Sequence, residues 1–299
     1  MWTAGRWQDF EVIDASCGER LERWGSYFLV RPDPQVIWMT EKTSEKWKGF
    51  NARYHRSKKG GGDWEFRDLP KTWQIRYDDL VFNLQPFAFK HTGVFPEQAA
   101  NWDWFSALIR GRLEAEAETP SGSPAEVRVL NLFAYTGGAT LAALKAGASV
   151  THVDASKGMV TWARENAVSS GLADRPVRWL VDDCQKFVRR ELRRGHKYDA
   201  IIMDPPSYGR GPKGEIWKIE EEIDPFVRDC AELLSDRPLF FLLNSYTTGL
   251  QPGVLTFLLS SALKERFPGA RVDSGEVGLP ITANGLVLPC GCAGRVTFE

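Results

Sequence analysis

A pair of prolines between an acid and an aromatic residue is the most specific chemical pattern in the sequence. It is Asp204-Pro205-Pro206-Ser207-Tyr208, directly after an apolar run. The prolines fix the backbone, so the Asp204 carboxylate and a neighbouring carbonyl could face one point, and the Tyr208 ring could stack on a planar base. Asp204, Pro205 and Tyr208 are therefore candidates for holding a planar reactant. The alternative is a rigid loop with a surface tyrosine.

A turn with paired glycines occurs earlier in the chain. Asn131 to Thr140 contains Gly137 and Gly138 and opens the Ala-rich stretch Leu141 to Ala146. Glycine lets a ligand approach the backbone, and a helix start offers unpaired amide donors. The spacing does not fit G-x-G-x-x-G, which cradles a dinucleotide pyrophosphate, so a nucleoside carrying an amino acid fits better. The alternative is a glycine pair that serves only a tight turn from strand to helix.

Acidic residues end the next two strand-like runs. Asp154 lies about twenty residues after the glycine turn, where a carboxylate can accept hydrogen bonds from ribose hydroxyls. Asp182 and Asp183 end the following run and offer an acceptor for an adenine amino group. Each acid could instead be the N-cap or the solvated start of the helix that follows it, which after Asp183 is predicted to span Cys184 to Arg194.

These residues need a scaffold, and the second part of the chain supplies one. Strand-like and helix-like segments alternate there, which is the pattern of a parallel, doubly wound sheet. His91 to Leu113 predicts a turn and a helix, and Glu114 to Glu126 an exposed connection. Arg271 to Leu279 and Gly285 to Phe298 predict an antiparallel hairpin. The strands predicted before the hairpin are Arg128 to Phe133, Ser149 to Asp154, Val177 to Asp183, Tyr198 to Asp204 and Pro238 to Ser245.

The first part of the chain differs, because short β-like runs alternate with Gly and Pro from Trp2 to about Phe89. We interpret residues 1–90 as a small β-rich domain and residues 91–299 as the domain that carries the site. The expected fold class is α/β, with a mostly parallel Rossmann-like sheet, a C-terminal antiparallel hairpin and a small N-terminal β-rich domain. The residues expected to fill much of the small domain's interior are Trp24, Trp38, Trp47, Trp64 and Trp73.

From about Thr92 onward the chain resembles the class I S-adenosylmethionine-dependent methyltransferases. Within that class it is similar to the bacterial group that contains the large-subunit 23S ribosomal RNA methyltransferases. The resemblance implies a Rossmann-like sheet and S-adenosylmethionine as the cofactor. It rests on Gly93-Val94-Phe95-Pro96-Glu97-Gln98, Asn131 to Gly138, Val153-Asp154-Ala155-Ser156, Asp183 and the Asp204 to Tyr208 motif.

The resemblance assigns a role to residues around each part of the cofactor. Asp154 would hold the ribose. Asp183, or Asp182 if the register differs by one, would meet the adenine. The residues that would cover the cofactor are Phe95, Pro96 and Gln98, and those that would line its methionine part are Phe133, Ala134, Tyr135 and Gly137. Further cofactor-binding candidates in these motifs are Asn131, Ala155 and Ser156.

On the acceptor side, the resemblance implies that Asp204 and Pro205 face the methyl-accepting group. Relatives that methylate cytosine at carbon 5 attack the base with a cysteine after the fifth strand. The corresponding run, Leu243 to Thr248, contains no cysteine. Direct transfer to a base nitrogen, with the base stacked on Tyr208, is therefore the preferred chemistry.

Charge gives only a local indication of the partner. Lys plus Arg (38) and Asp plus Glu (39) nearly cancel, so no global field favours nucleic acid or a membrane. One basic run in the first domain is interleaved with Trp47, Phe50 and Tyr54, a combination that single-stranded RNA requires. RNA, with ribosomal RNA foremost, is the expected partner; a solvated charged loop is the alternative. The basic residues are Lys42, Lys46, Lys48, Arg53, Arg56, Lys58 and Lys59.

Other classes of protein are less well supported. The start has no signal-peptide core and no stretch has membrane-spanning length, so a cytoplasmic protein is expected. The five cysteines form no C-x-x-C pair, which favours neither a disulfide framework nor a metal site. A methyltransferase for a small molecule or a protein remains an alternative. A NAD-binding oxidoreductase is a weaker one, because the phosphate fingerprint is missing.

Overall fold

The computed structural model describes residues 1–57, 61–87, 90–118, 126–210 and 216–298. Within these ranges the helices are α1 Ala99–Ala117, α2 Gly138–Lys145, α3 Lys157–Ser169, α4 Cys184–Arg194, α5 Ile219–Glu232 and α6 Pro252–Leu263. The strands are β1 Trp2–Thr3, β2 Phe10–Ser16, β3 Glu19–Trp24, β4 Tyr27–Pro32, β5 Ala52–Arg56, β6 Gly62–Phe66, β7 Trp73–Tyr77, β8 Leu80–Leu84, β9 Arg128–Leu132, β10 Ser149–Asp154, β11 Val177–Val181, β12 Ala200–Met203, β13 Tyr208–Arg210, β14 Ile216–Lys218, β15 Phe240–Ser245, β16 Arg271–Pro280 and β17 Val287–Thr297. Short 3-10 helices span Glu45–Trp47 and Pro96–Gln98.

The chain divides into two compact units. The first contains Met1–Ala100 and Val277–Cys290, and the second contains Asn101–Glu276 and Gly291–Glu299. Residues 277–290 join the first unit because β1 pairs in parallel with the end of β16, with Trp2 opposite Val277. The division into domains at residue 90 stays a prediction.

A twisted sheet organises the second unit. Its strands lie in the order β17, β15, β12, β9, β10, β11, and β16 lies beside β17. The five strands from β15 to β11 run parallel, and β17 runs antiparallel to β15. Every residue of β12 is buried, as expected for a parallel strand covered on both faces. The predicted α/β fold class with a C-terminal antiparallel pair is thereby confirmed.

Helices α4, α5 and α6 cover one face of this sheet. Phe187 of α4, Phe226 of α5 and Leu259 of α6 pack in one apolar cluster with Leu132 and Phe241 of the strands. The boundaries of β10 and α4 agree with the sequence prediction. The prediction that an exposed connection begins at Glu114 was wrong, because α1 continues to Ala117. Residues 119–125 of that connection lie outside the described residues.

The first unit is built from two antiparallel-rich sheets, one with the strand order β2, β3, β4, β5, β6 and one formed by β7 and β8. Trp24 has no solvent exposure, and Trp47 and Trp73 are also buried. Trp38 and Trp64 are only partly buried. The expectation that tryptophans fill the interior therefore holds for three of the five. Among the helices of the described ranges, none has the length and hydropathy needed to cross a membrane.

An ion cluster on the first unit gives a test of its stability. One oxygen of Glu19 accepts a hydrogen bond from Lys42 at 2.6 Å, and the other accepts one from Arg53 at 2.6 Å. Burial acts to raise the pKa of Glu19, but the hydrogen bonds and charges of Lys42 and Arg53 outweigh it and lower the pKa below 4.5. Because the folded pKa is the lower one, this contribution is present above about pH 4.5 and is lost as the pH falls through the folded pKa.

We expect Glu19→Gln to lower the free energy of unfolding by about 1 kcal/mol at neutral pH, a value reduced by solvent screening. Urea unfolding at neutral pH and below pH 4 measures it. The difference in unfolding free energy from wild type should shrink in acid. Glu41→Gln should change nothing, because Glu41 is exposed and forms no ion pair among the residues that the structure describes. An equal loss at both pH values would contradict the ion-pair explanation.

Candidate functional site

The direction in which the chain adds strands to the sheet reverses between β9 and β12, so the carboxyl ends of these two strands mark the switch point. From β9 the chain proceeds to β10 and β11 on one side, then returns to β12 and β15 on the other. Ligands of open α/β sheets bind outside the carboxyl ends of the strands at such a point. The backbone N–H of Asp204 donates to the carbonyl of Leu132 at 3.4 Å, so the ends of β9 and β12 meet here. The site is therefore expected at this edge.

The turn after β9 has an unusual backbone. Phe133 and Tyr135 have φ values of 54° and 50°, and Gly137 has φ 86°. A left-handed conformation is costly for residues with a side chain, and it persists where the surroundings enforce it, commonly at ligand sites. The N–H of Ala134 donates to the carbonyl of Val153 at 3.1 Å, which ties the turn to β10. The sequence indicated the glycine but not the strain at the two aromatic residues.

Gly137 is required for a second reason besides its φ angle. A Cβ at this position would lie 2.9 Å from the Cβ of Ala163 in α3, closer than side-chain carbons approach each other. Gly137 is also the N-cap of α2 and offers no side chain there. The start of α2 can therefore pack closely against α3.

Asp154 connects the ends of β9 and β10. Its Oδ2 accepts a hydrogen bond from the N–H of Tyr135 at 2.8 Å, and its Oδ1 accepts one from the N–H of Ser156 at 2.8 Å. A carboxylate has about four acceptor positions, so room remains for two hydroxyl donors. Burial raises the pKa of Asp154, although the two backbone N–H groups act to lower it. An orientated, partly buried carboxylate of this kind suits the two hydroxyls of a ribose.

Three other predicted cofactor residues, Asn131, Ala155 and Ser156, either make contacts within the protein or are exposed to solvent. Asn131 is buried and donates to the Thr140 hydroxyl at 2.9 Å, which in turn meets Nδ1 of His152 at 2.9 Å. This contact anchors α2 to the sheet. Ala155 is exposed, and the Ser156 hydroxyl caps α3 by accepting from the N–H of Met159. The ligand contacts of these three residues stay a prediction.

Both adenine candidates also have structural partners. Asp183 is the N-cap of α4, and its Oδ1 accepts from the N–H of Lys186 at 2.9 Å. Asp182 forms an ion pair with Arg190. The backbone N–H of Asp182 donates to the carbonyl of Asp154 at 3.0 Å, which sets the pair beside the ribose candidate. Their position fits an adenine acceptor, and the contact itself stays a prediction.

The loop from Asp204 to Tyr208 is held on two sides. The Trp217 indole N–H donates to the carbonyl of Pro206 at 2.6 Å, and the Ser207 and Thr247 hydroxyls lie 2.6 Å apart. Pro205 is buried, whereas Tyr208 is 51% exposed at the start of β13. The loop therefore presents an exposed tyrosine from a backbone that hydrogen bonds hold in place. This geometry is compatible both with a site for a planar reactant and with the alternative of a rigid loop with a surface tyrosine, so the roles of Asp204, Pro205 and Tyr208 stay a prediction.

Trp217 is the residue that the sequence analysis missed. It lies on β14, which pairs antiparallel with β13, and its ring is 5.4 Å from Phe133 and 5.6 Å from Phe226. Through these contacts it joins the turn after β9 to the loop after β12. Only the alternation of Ile216, Trp217 and Lys218 could have indicated a strand, and three residues are too few for that signal.

Phe95, Pro96 and Gln98 belong to the first unit. Phe95 packs edge-on against His91 with ring centroids 5.4 Å apart, and the Pro96 carbonyl accepts from the Trp7 indole N–H at 2.9 Å. Pro96 and Gln98 are buried. Their proposed role in covering the cofactor stays a prediction.

Three cysteines of the chain, Cys184, Cys290 and Cys292, are unsuited to nucleophilic attack. Cys184 is buried, and its Sγ accepts from the N–H of Phe133 at 3.3 Å. Burial raises the pKa of Cys184 and Cys290 well above the ordinary value, and that of Cys292 to about 11. The thiolate is the attacking form, so these side chains are poor nucleophiles. This agrees with transfer that needs no covalent cysteine adduct.

The aromatic residues within the basic run of the first unit were predicted to stack on RNA bases, and the structure does not leave their rings exposed for this. Trp47, Phe50 and Tyr54 are buried, and the Trp47 indole N–H donates to Asp14. Lys42 lies over the Trp47 ring at 4.1 Å, so the cation covers the core instead of pointing away from it. Lys58, Lys59 and Gly60 lie outside the described residues.

Comparisons with known proteins agree with this geometry. A family model described as S-adenosylmethionine-dependent methyltransferase matches residues 49–235. A solved methyltransferase from Agrobacterium tumefaciens, titled as SAM-dependent, is 35% identical with a TM-score of 0.88, over 98% of this chain and 91% of that one. The ribosomal RNA large subunit methyltransferase K of Neisseria meningitidis is 22% identical over 83% of this chain. The K/L enzyme of Shewanella baltica is 37% identical over 36%. The chain spans 66% of the length of the Neisseria relative and 14% of that of the Shewanella relative.

Proposed function

The chain belongs to the S-adenosylmethionine-dependent methyltransferases, and on that premise we propose that it methylates RNA, ribosomal RNA foremost, at a base nitrogen. The resemblance read from the sequence motifs is confirmed by the family match. The RNA assignment is supported by relatives whose names are ribosomal RNA methyltransferases. A ribosomal substrate would also place the reaction in the cytoplasm.

One observation carries the methyltransferase proposal: both oxygens of Asp154 are orientated by backbone N–H groups beside the strained turn from Phe133 to Gly137. These residues fit a ribose and a charged amino-acid group next to each other. Asp154 would hold the ribose, and Asp182 or Asp183 would accept from the adenine amino group. When bound, S-adenosylmethionine supplies an activated methyl group on a sulfonium.

The acceptor side rests on Asp204, Pro205 and Tyr208. Tyr208 would stack on the base, and Asp204 would accept a hydrogen bond from the amino group that is methylated. Asp204 or water would accept the proton that the nitrogen loses when it takes the methyl group supplied by bound S-adenosylmethionine, which would leave as the neutral thioether. Most of the rate in such a direct transfer comes from holding the two reactants in line. No thiol is needed, in agreement with the raised pKa values of the cysteines.

The NAD-binding alternative is not favoured, because the turn lacks the phosphate fingerprint and the family is a methyltransferase family. The experiment distinguishes RNA from the two alternative methyl acceptors, a protein and a small molecule. We expect protein incubated with methyl-labelled S-adenosylmethionine and separate cellular RNA, protein and metabolite fractions to label RNA. Nuclease digestion should then find the label on a base nitrogen.

Two controls make that experiment decisive. RNA from cells that lack the gene should accept more label than RNA from cells that have it, because sites that are already methylated cannot accept another methyl group. Label confined to the protein or metabolite fraction would overturn the RNA assignment. Label at carbon 5 of a pyrimidine would overturn the direct transfer to nitrogen.

A further inference from the structure

Helix α4 and the turn that follows it are strongly basic. Residues 184–197 contain six Lys and Arg residues and one acid, Glu191, in a chain whose net charge is −1. Lys186, Arg189 and Arg193 are exposed and have the i, i+3, i+7 spacing of one helix face. We call these three residues the basic stripe. The opposite face, with Cys184, Phe187, Val188 and Glu191, is buried.

The acid of this helix does not neutralise the basic stripe. Glu191 has a fully buried side chain and accepts from the Tyr198 hydroxyl at 2.7 Å, with His196 Nδ1 at 2.9 Å and Arg194 at 3.3 Å. Asp182 pairs with Arg190, outside the stripe. Within the part of the chain that the structure describes, Arg189 and Arg193 have no carboxylate partner. Two guanidinium groups are therefore available to an external anion.

The position of the helix relates the basic stripe to the proposed reaction. α4 starts directly after Asp183 at the carboxyl edge of the sheet and spans 11 residues, about 16 Å. It ends at the other edge beside a cleft of about 690 Å³. The rim of the cleft adds Arg128, Arg178 and Lys197, of which Arg128 pairs with Asp199 and Arg178 with Glu191. Cationic side chains thus lie along α4 from its start, next to the adenine candidates, to the far side of the sheet.

We propose that the basic stripe binds the phosphates of an RNA strand whose target base enters the site at the carboxyl edge. This inference rests on the proposed RNA methylation. A line of cations along a helix complements a chain of phosphates, and its two arginines can each bind phosphate through paired N–H donors. A membrane surface fits less well, because the apolar residues of α4, Phe187 and Val188, are buried and cannot insert into lipid.

The test uses the full chain and a short single-stranded RNA of mixed sequence. The double variant Arg189→Gln/Arg193→Gln removes two cations, and Arg110→Gln/Lys264→Gln removes two exposed cations of the same unit outside the stripe. RNA affinity is measured over a range of salt concentrations. With about 0.7 released counterions for each lost phosphate contact, the slope of log affinity against log salt should become shallower by about 1.4. The control pair should keep the wild-type slope.

Calorimetry with S-adenosylmethionine shows whether the variants keep the folded site, and both should bind it as wild type does. An unchanged slope in the stripe variant, or the same change in the control pair, would overturn the proposal. Preferential binding of the stripe to phosphatidylserine vesicles over RNA would also overturn it. If the wild-type protein methylates RNA but the stripe variant keeps the wild-type salt slope, only the role of the basic stripe is contradicted. If the wild-type protein does not methylate RNA, the proposed function is contradicted.

Discussion

Asp154→Ala is expected to lower the affinity for S-adenosylmethionine by about 2–3 kcal/mol, or roughly 30- to 150-fold. The variant removes a charged acceptor for two ribose hydroxyls. It also releases the N–H groups of Tyr135 and Ser156, which hold the turn and the start of α3. The turn is then less well arranged for the methionine part. Calorimetric titration with the cofactor measures the loss directly.

Two comparisons separate this role from a general loss of structure. Asp174→Ala, at an exposed acid between α3 and β11, should leave cofactor affinity unchanged. Because burial raises the pKa of Asp154 above 3.8, wild-type affinity should start to fall in mild acid, at a pH above the ordinary range of aspartate. Protonation turns an acceptor into a donor, so the sign is a loss toward low pH. Unchanged affinity in Asp154→Ala would remove the assigned role.

Asp204→Asn is expected to slow methyl transfer by about 100- to 10,000-fold, the usual contribution of a positioned group that handles a proton. The amide keeps the size of the side chain but loses the charge that would orientate the acceptor amino group. The backbone N–H of residue 204, which donates to Leu132, is untouched. Single-turnover transfer to RNA with saturating cofactor is the suitable measurement.

In the same series, Asp224→Asn serves as the matched control, since Asp224 has a half-exposed side chain on α5 and pairs with Arg228. Cofactor affinity should be the same in wild type and in both variants. A wild-type rate in Asp204→Asn would show that the acid takes no part in transfer. A loss of cofactor affinity with a normal rate would move Asp204 to the cofactor side of the site.

Local sequence signals predicted the scaffold well where they were strong. β10 runs from Ser149 to Asp154 and α4 from Cys184 to Arg194, as the sequence indicated. β10 contains three β-branched residues, Val150, Thr151 and Val153, and ends in an acid. α4 has an acid as its N-cap and a glycine as its C-cap, which are standard boundary signals. The parallel direction of these strands followed from the alternation of elements, whereas their order in the sheet was not predicted.

Features that depend on distant contacts were not predictable in the same way. The left-handed conformations of Phe133 and Tyr135 arise from hydrogen bonds to β10, which no local pattern encodes. Trp217 reaches Pro206 across the hairpin of β13 and β14. Trp47 is buried through a hydrogen bond to Asp14, 33 residues earlier. An aromatic residue next to lysines in the sequence can thus belong to the core. The basic stripe of α4 became evident only once the buried face of that helix was known.

A crystal structure of the protein grown with S-adenosylmethionine tests the account most directly. We expect the ribose hydroxyls within about 2.7–3.2 Å of the Asp154 carboxylate, with the methionine part along the turn from Phe133 to Gly137. The cofactor lodged elsewhere on the chain, or absent from this edge at saturating concentration, would contradict it.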